Sequence, residues 1–281
     1  MVLLYIPPVQ NLLRREVTAY ASKATGMQIQ VERIDLRFPL NLLVRGVEVI
    51  QQPDTLLSLE SLNVRVQAWP LLKGKVEVDE VTLSQVAVNS ANLIEGMQIK
   101  GVLGRFFLQS HGVDLSNETA VVNRTELSDT HIQLLMTDTT TTPKDTTASA
   151  PVNWKVNLHQ LKLKNVSFGM KLPADSMKMA AYIGEATIDD AKADLKNQFY
   201  GLKQFLLSGA SASYDTGEAQ PSEGFDASHM AVRNIRIGLD SLLYEGRNMN
   251  AVIREITMEE RSGLSITSLT GRLFSNDSII R

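Results

Sequence analysis

Few residues in this 281-residue chain could do chemistry, and they stand far apart. The four histidines are His111, His131, His159 and His229, and none lies at metal-ligand spacing from another. Asp189-Asp190 and Glu259-Glu260 are adjacent carboxylate pairs. General acid–base work needs both carboxyls facing one substrate, whereas neighbours on a strand point to opposite sides. Gly101-Val102-Leu103-Gly104 has neither the Walker nor the dinucleotide spacing. No serine sits in a G-x-S-x-G setting. Cysteine is absent, which excludes disulfides, thiolate nucleophiles and zinc-thiolate sites. A net charge of −3 gives no basic field for nucleic acid. These residues imply no enzyme and require no cofactor or metal. Asn117-Glu118-Thr119 and Asn123-Arg124-Thr125 match the N-glycosylation acceptor and are expected in loops.

What the sequence does carry is a rhythm. In Lys73 to Val88 the apolar residues are Val76, Val78, Val81, Leu83, Val86 and Val88. Their steps run two, three, two, three, two. A plain strand steps by two and a helix by three and four. Tight hairpins would need Gly or Asn at positive φ between the short runs, and Asp79-Glu80 and Ser84-Gln85 do not supply them. A β-solenoid lacks its corner residues and its unbroken period here. Long strands with one extra residue at intervals fit best, because the next apolar residue then returns to the same face. The beat recurs at Ile29 to Phe38, Val44 to Val49, Leu57 to Ala68, Leu158 to Phe168, Ala186 to Ala193 and Phe205 to Tyr214. Asp194 to Leu207 could be helical by its Leu195, Phe199, Leu202 and Leu206, but the same beat favours strand.

Pro8 to Thr25 predicts a helix, with Val9, Leu12, Leu13, Val17, Tyr20, Ala21 and Ala24 on one face and Gly26 as its stop. It is expected to cap the end of the β core. Before it, Val2 to Ile6 and Pro7-Pro8 fit either the last turn of a membrane span or an apolar end packed on the domain. Thr137 to Pro151 has no apolar period and predicts a mobile loop or linker. Four units follow: 1–26, the end of a membrane anchor and the capping helix; 27–136, a first β-groove section; 137–151, the Thr-rich loop; and 152–281, a second section that stops without a terminating signal. The expected fold is mainly β, an elongated, curled antiparallel groove.

One segment carries a family likeness. Trp69-Pro70-Leu71-Leu72-Lys73-Gly74-Lys75-Val76-Glu77-Val78-Asp79-Glu80-Val81-Thr82-Leu83 resembles the N-terminal signature of the AsmA/TamB family of Gram-negative envelope proteins. Phe225 to Ile237 and Glu259 to Leu269 are similar to its TamB-like branch. The resemblance implies a periplasmic bridge, held in the inner membrane by one N-terminal helix, whose apolar groove carries phospholipid. It also implies a meeting with an Omp85-type outer-membrane barrel at the far C-terminal end of the full protein. On that reading the groove lining is Leu62, Val64, Val66, Val76, Val78, Val81, Leu83, Val86 and Val88. The rival expectation is a closed β domain that scaffolds protein assembly without lipid.

Overall fold

In a computed structural model the chain is described over residues 7–67, 69–70, 77–90, 93–114, 117–137, 153–217 and 220–276. Helix α1 (Pro7–Thr25) leads into β1 (Gln28–Arg37), β2 (Asn41–Gln51), β3 (Asp54–Val66), β4 (Val78–Asn89), β5 (Met97–Asp114) and β6 (Thr119–Met136). Then come β7 (Lys155–Leu172), β8 (Met177–Asp194), the short β9 (Phe199–Leu202), β10 (Gln204–Asp215), β11 (His229–Glu245), β12 (Asn248–Glu260) and β13 (Ser265–Ser275). All thirteen strands belong to one curled sheet. Twelve follow one another in chain order, and β9 pairs with β8 and β11 beside β10.

The strands are long because the apolar beat never breaks for more than a turn. β5, β6, β7 and β8 have 18 residues each. Strand Val78–Asn89 is one continuous element, as the rhythm predicts. Asp194 to Leu207 resolves into the end of β8, a turn, β9 and the start of β10, not a helix. Every junction is antiparallel but one: β6 and β7 run parallel, pairing Thr119 with Lys155 through Leu135 with Lys171. The sheet is therefore mixed. A parallel pair needs a crossover of a dozen or more residues, and the chain between Met136 and Lys155 contains the Thr-rich stretch. That stretch, Asp138 onward, lies outside the described residues, as does Val76.

From β1 to β7 one extra residue per strand sits in a single row, while others, such as Asp79 opposite the Arg65–Val66 step, are one-sided bulges. The ladder passes over Glu32 and Gly46 between β1 and β2, Gly46 and Glu60 between β2 and β3, and Glu60 and Gln85 between β3 and β4. It then passes over Gln85 and Gly104, Gly104 and Asp129, and Asp129 and Asn165. Four members have positive φ: Gly46 at 59°, Gln85 at 50°, Asp129 at 52° and Asn165 at 54°. A β-bulge sets two residues against one. Here both partners carry the extra residue at the same level, so register is kept and a crease crosses the sheet. Asn165 Nδ2 donates to Asp129 Oδ1 at 2.8 Å across the parallel joint. Asn123-Arg124-Thr125 lies inside β6, not in a loop.

Helix α1 covers the edge of β1. Gln10 Nε2 donates to the Leu36 carbonyl at 2.9 Å, and Arg14 Nη1 to the Glu32 carbonyl at 2.8 Å. The Ile29 N–H donates to Ser22 Oγ at 3.1 Å. An edge strand offers unpaired backbone groups, and this polar stripe occupies several of them. The apolar face expected to dock is not wholly used: Leu12 is 57% exposed and Tyr20 77%. A wheel of apolar residues misses this because an edge is a row of donors and acceptors. No helix among the described residues is long and apolar enough to cross a membrane.

The crease yields a stability prediction. A Cβ on Gly104 would meet the Asp129 Cβ at 2.7 Å and its carbonyl oxygen at 2.9 Å, whereas one on Gly169 would meet nothing closer than 3.9 Å. Gly104→Ala is expected to destabilise by about 1–3 kcal/mol. Gly169→Ala should lie within ~0.5 kcal/mol of the parent. Urea unfolding of both variants measures the difference.

Candidate functional site: an apolar face across twelve strands

Directly paired residues share a face of a sheet, so the register converts the rhythm into rows. One row runs Ile34, Val44, Leu62, Leu83, Phe106 and Leu127 from β1 to β6. It continues without interruption through Leu163, Ala186, Leu207, Ile237, Ile256 and Leu269. At ~4.8 Å per strand the twelve positions span on the order of 50 Å, perpendicular to the strands. A parallel row begins Leu36, Leu42, Val64, Val81 and Leu108. It passes Thr125 and then Leu161, Ile188, Phe205, Leu239 and Ile253. On the other side of the crease, Val31, Val47, Leu59, Val86 and Leu103 form a third.

The sequence-expected lining falls into these rows. Leu62 pairs with Leu83, Val64 with Val81, and Val66 with Val78. Val86 and Val88 pair with Leu59 and Leu57 on the same face. Val76 is outside the described residues. The rows extend much further than those names. Phe106, Leu127, Leu163, Leu207 and Ile237 belong to them equally, and their own two-three steps were the signal.

This face is not a dry core. Among the described residues no large side chain is fully buried. Leu62, Val64, Val81, Leu83 and Val86 are half-buried, and only Leu59 in that group is buried. Val88, Ile132, Phe168 and Leu269 are 38%, 39%, 40% and 45% exposed. Water against such a surface costs ~25 cal/mol per Å², so an apolar occupant is favoured there. A depression of about 990 Å³ has residues of both phases in its lining, most of them, from Lys100 to Arg233, from the opposite, polar phase of β5 to β11.

The ionisable groups cluster off the apolar rows. His159 Nδ1 lies 3.1 Å from Asp190 Oδ1, and Lys203 Nζ lies 3.4 Å from Asp190 Oδ2. The His159 hydrogen bond, with that of Lys203, holds the Asp190 carboxyl below its ordinary value. His159 is exposed, as its polar phase predicts, while its carboxylate partner was not legible. In the turn before β11, Asp226 accepts hydrogen bonds from the Ser222 and Ser228 N–H groups, both at 3.0 Å. It also faces His229 Nδ1 at 3.0 Å. These donors, the two backbone groups first, hold its carboxyl well below the usual range. No group of three His, Asp or Glu able to hold a metal occurs among the described residues. Asp189 and Asp190 do part company: Asp189 accepts from Gln160 at 3.2 Å, Asp190 meets His159 and Lys203.

No protein-family model matches the chain, and no curated protein does.

Two outcomes follow from this geometry. On an open face Leu83→Ala should cost about 1–2 kcal/mol, below the ~3–5 kcal/mol of a Leu removed from a packed core; a denaturant midpoint series measures it. A carboxylate whose folded pKa is depressed stabilises above its unfolded value near 4 and loses that contribution as pH falls through the folded value. The melting-temperature gap between the parent and Asp226→Asn should therefore be open at pH 6 and close steadily below about pH 4.

Proposed function

We propose that the chain is a non-enzymatic lipid-conducting scaffold, with phospholipid acyl chains lying against the apolar rows. The observation that carries this reading is the uninterrupted row from Ile34 to Leu269, part-exposed at every position but Ala186. Aliphatic side chains without convergent polar anchors suit hydrocarbon better than a polar substrate. The row crosses the strands, so a chain moving along it would keep the same kind of contact for on the order of 50 Å. The resemblance of Trp69 to Leu83 to the AsmA/TamB signature supports the same function. It adds a periplasmic setting, an inner-membrane anchor before Pro7 and an Omp85-type barrel beyond the far end of the full protein. Phospholipid is then the cargo and the outer membrane its destination.

The alternative, a closed scaffold for protein assembly, requires a filled core, and the half-buried rows give it little support. Photo-crosslinking probes at Val78 or Leu83 are expected to capture phospholipid, and probes at Glu77 or Thr82, on the other phase, to capture little. Equal labelling of the two phases would reject the proposal. Native mass spectrometry of the purified chain should show co-purifying phospholipid.

A further inference from the structure

The polar face has its own unassigned feature. The depression of about 990 Å³ is lined by Lys100, Lys171, Lys178, Arg233 and Arg261, with Asp215 as its one acid. A twisted sheet is saddle-shaped, so the polar side also has a concave direction. Lys171 and Lys178 are direct cross-strand partners on β7 and β8. Their Cβ atoms then stand about 5 Å apart, and like charges directly opposite are destabilising. Nothing in the strand pairing requires two cations there.

The local acids do not neutralise them. Arg233 is committed to Glu259 at 3.1 Å. Asp215 stands opposite Lys178 on β10, yet Lys100, Lys171, Lys178 and Arg261 have no acidic partner among the described residues. Beside the lysine pair the floor turns small and apolar. The next pairs on the same phase are Gly169 with Ala180 and Ser167 with Tyr182, and Tyr182 is 40% exposed. Two lysines on directly paired positions can bring two ammonium groups to the several oxygens of a tetrahedral dianion. The small residues beyond leave room for an apolar body.

We propose that this depression binds a phosphate-headed amphiphile, with the phosphate between Lys171 and Lys178 and the apolar part over Gly169, Ala180 and Tyr182. Leu134, Phe168 and Met170 of the apolar phase also border the depression, but the assignment rests on the Lys171–Lys178 pair and not on the function proposed for the apolar rows. Calorimetric titration of the full chain with dodecyl phosphate, below its micelle concentration, tests it. Binding is expected to weaken at least tenfold in Lys171→Gln/Lys178→Gln, and several-fold between low and physiological salt. The double variant should melt no lower than the parent, since it removes a repulsion. Lys164→Gln, at an exposed cation of β7 outside the depression, should leave the affinity unchanged. Uncharged dodecyl maltoside and inorganic phosphate should each bind at least tenfold more weakly than dodecyl phosphate. Undiminished binding in the lysine double variant, or an equal loss in Lys164→Gln, would overturn the assignment. Equal affinity for inorganic phosphate would overturn the amphiphile and leave a free-anion site.

Discussion

A strand cannot add one residue alone without cost to its neighbours. The side-chain period is two, so a single insertion sends every later residue to the other face. This sheet solves the problem collectively. Gly46, Glu60, Gln85, Gly104, Asp129 and Asn165 all occur at one level, and the pairs on both sides of them stay matched. Positive φ at Gly46, Gln85, Asp129 and Asn165 absorbs the extra length. Close approach then dictates composition: a side chain on Gly104 would strike Asp129, and one on Gly46 would strike Glu32. Phase, register and the small residues of the crease are one constraint seen three ways.

Such a sheet must hold together without the packed interior that usually stabilises a chain of this size. What remains is the ladder of backbone hydrogen bonds, the cross-strand contacts within each row, and protection of the ends. Cross-strand apolar pairs contribute roughly 0.2–1 kcal/mol each, and twelve strands supply many. The first edge is occupied by Gln10, Arg14 and Ser22 of the helix. The polar face adds ion pairs such as Arg65 with Glu80 at 2.5 Å, where exposure keeps each contribution small. Stability spread along a sheet in this way depends on continuity and not on any one centre, as in repeat proteins.

The rhythm from Val78 to Val88 made strand and phase legible, because a surface with one apolar face leaves its period in the sequence. Its meaning was less legible. The bulge expected within one strand is present at Asp79, where β3 has no matching residue, but at Gln85 the extra residue is matched by Glu60 and Gly104, which one strand's sequence cannot show. The parallel joint was hidden for a related reason: Leu161 and Leu163 have the same alternation whichever way the strand runs. The helix misled through Leu12 and Tyr20, which belong to the apolar side of the wheel but stay exposed, while Gln10 and Arg14 make the contact. The cation pair Lys171 and Lys178 could not be found in sequence at all. Their proximity exists only through the β7–β8 register.

The parallel joint also bears on whether the two halves form one surface. Reversing strand direction changes the hydrogen-bond pattern but not the face shared by directly paired residues. Leu127 therefore meets Leu163, Ile132 meets Phe168, and Leu134 meets Met170 as apolar pairs across β6 and β7. Had the connection delivered β7 one residue out of phase, Leu127 would instead face Lys162 or Lys164, and the row would end there. The pairing of Thr119 with Lys155 fixes the phase for the whole joint, as far as Leu135 with Lys171. Continuity of the apolar face thus depends on where the chain re-enters the sheet. What lies between Met136 and Lys155 can vary in composition as long as it preserves that point of return.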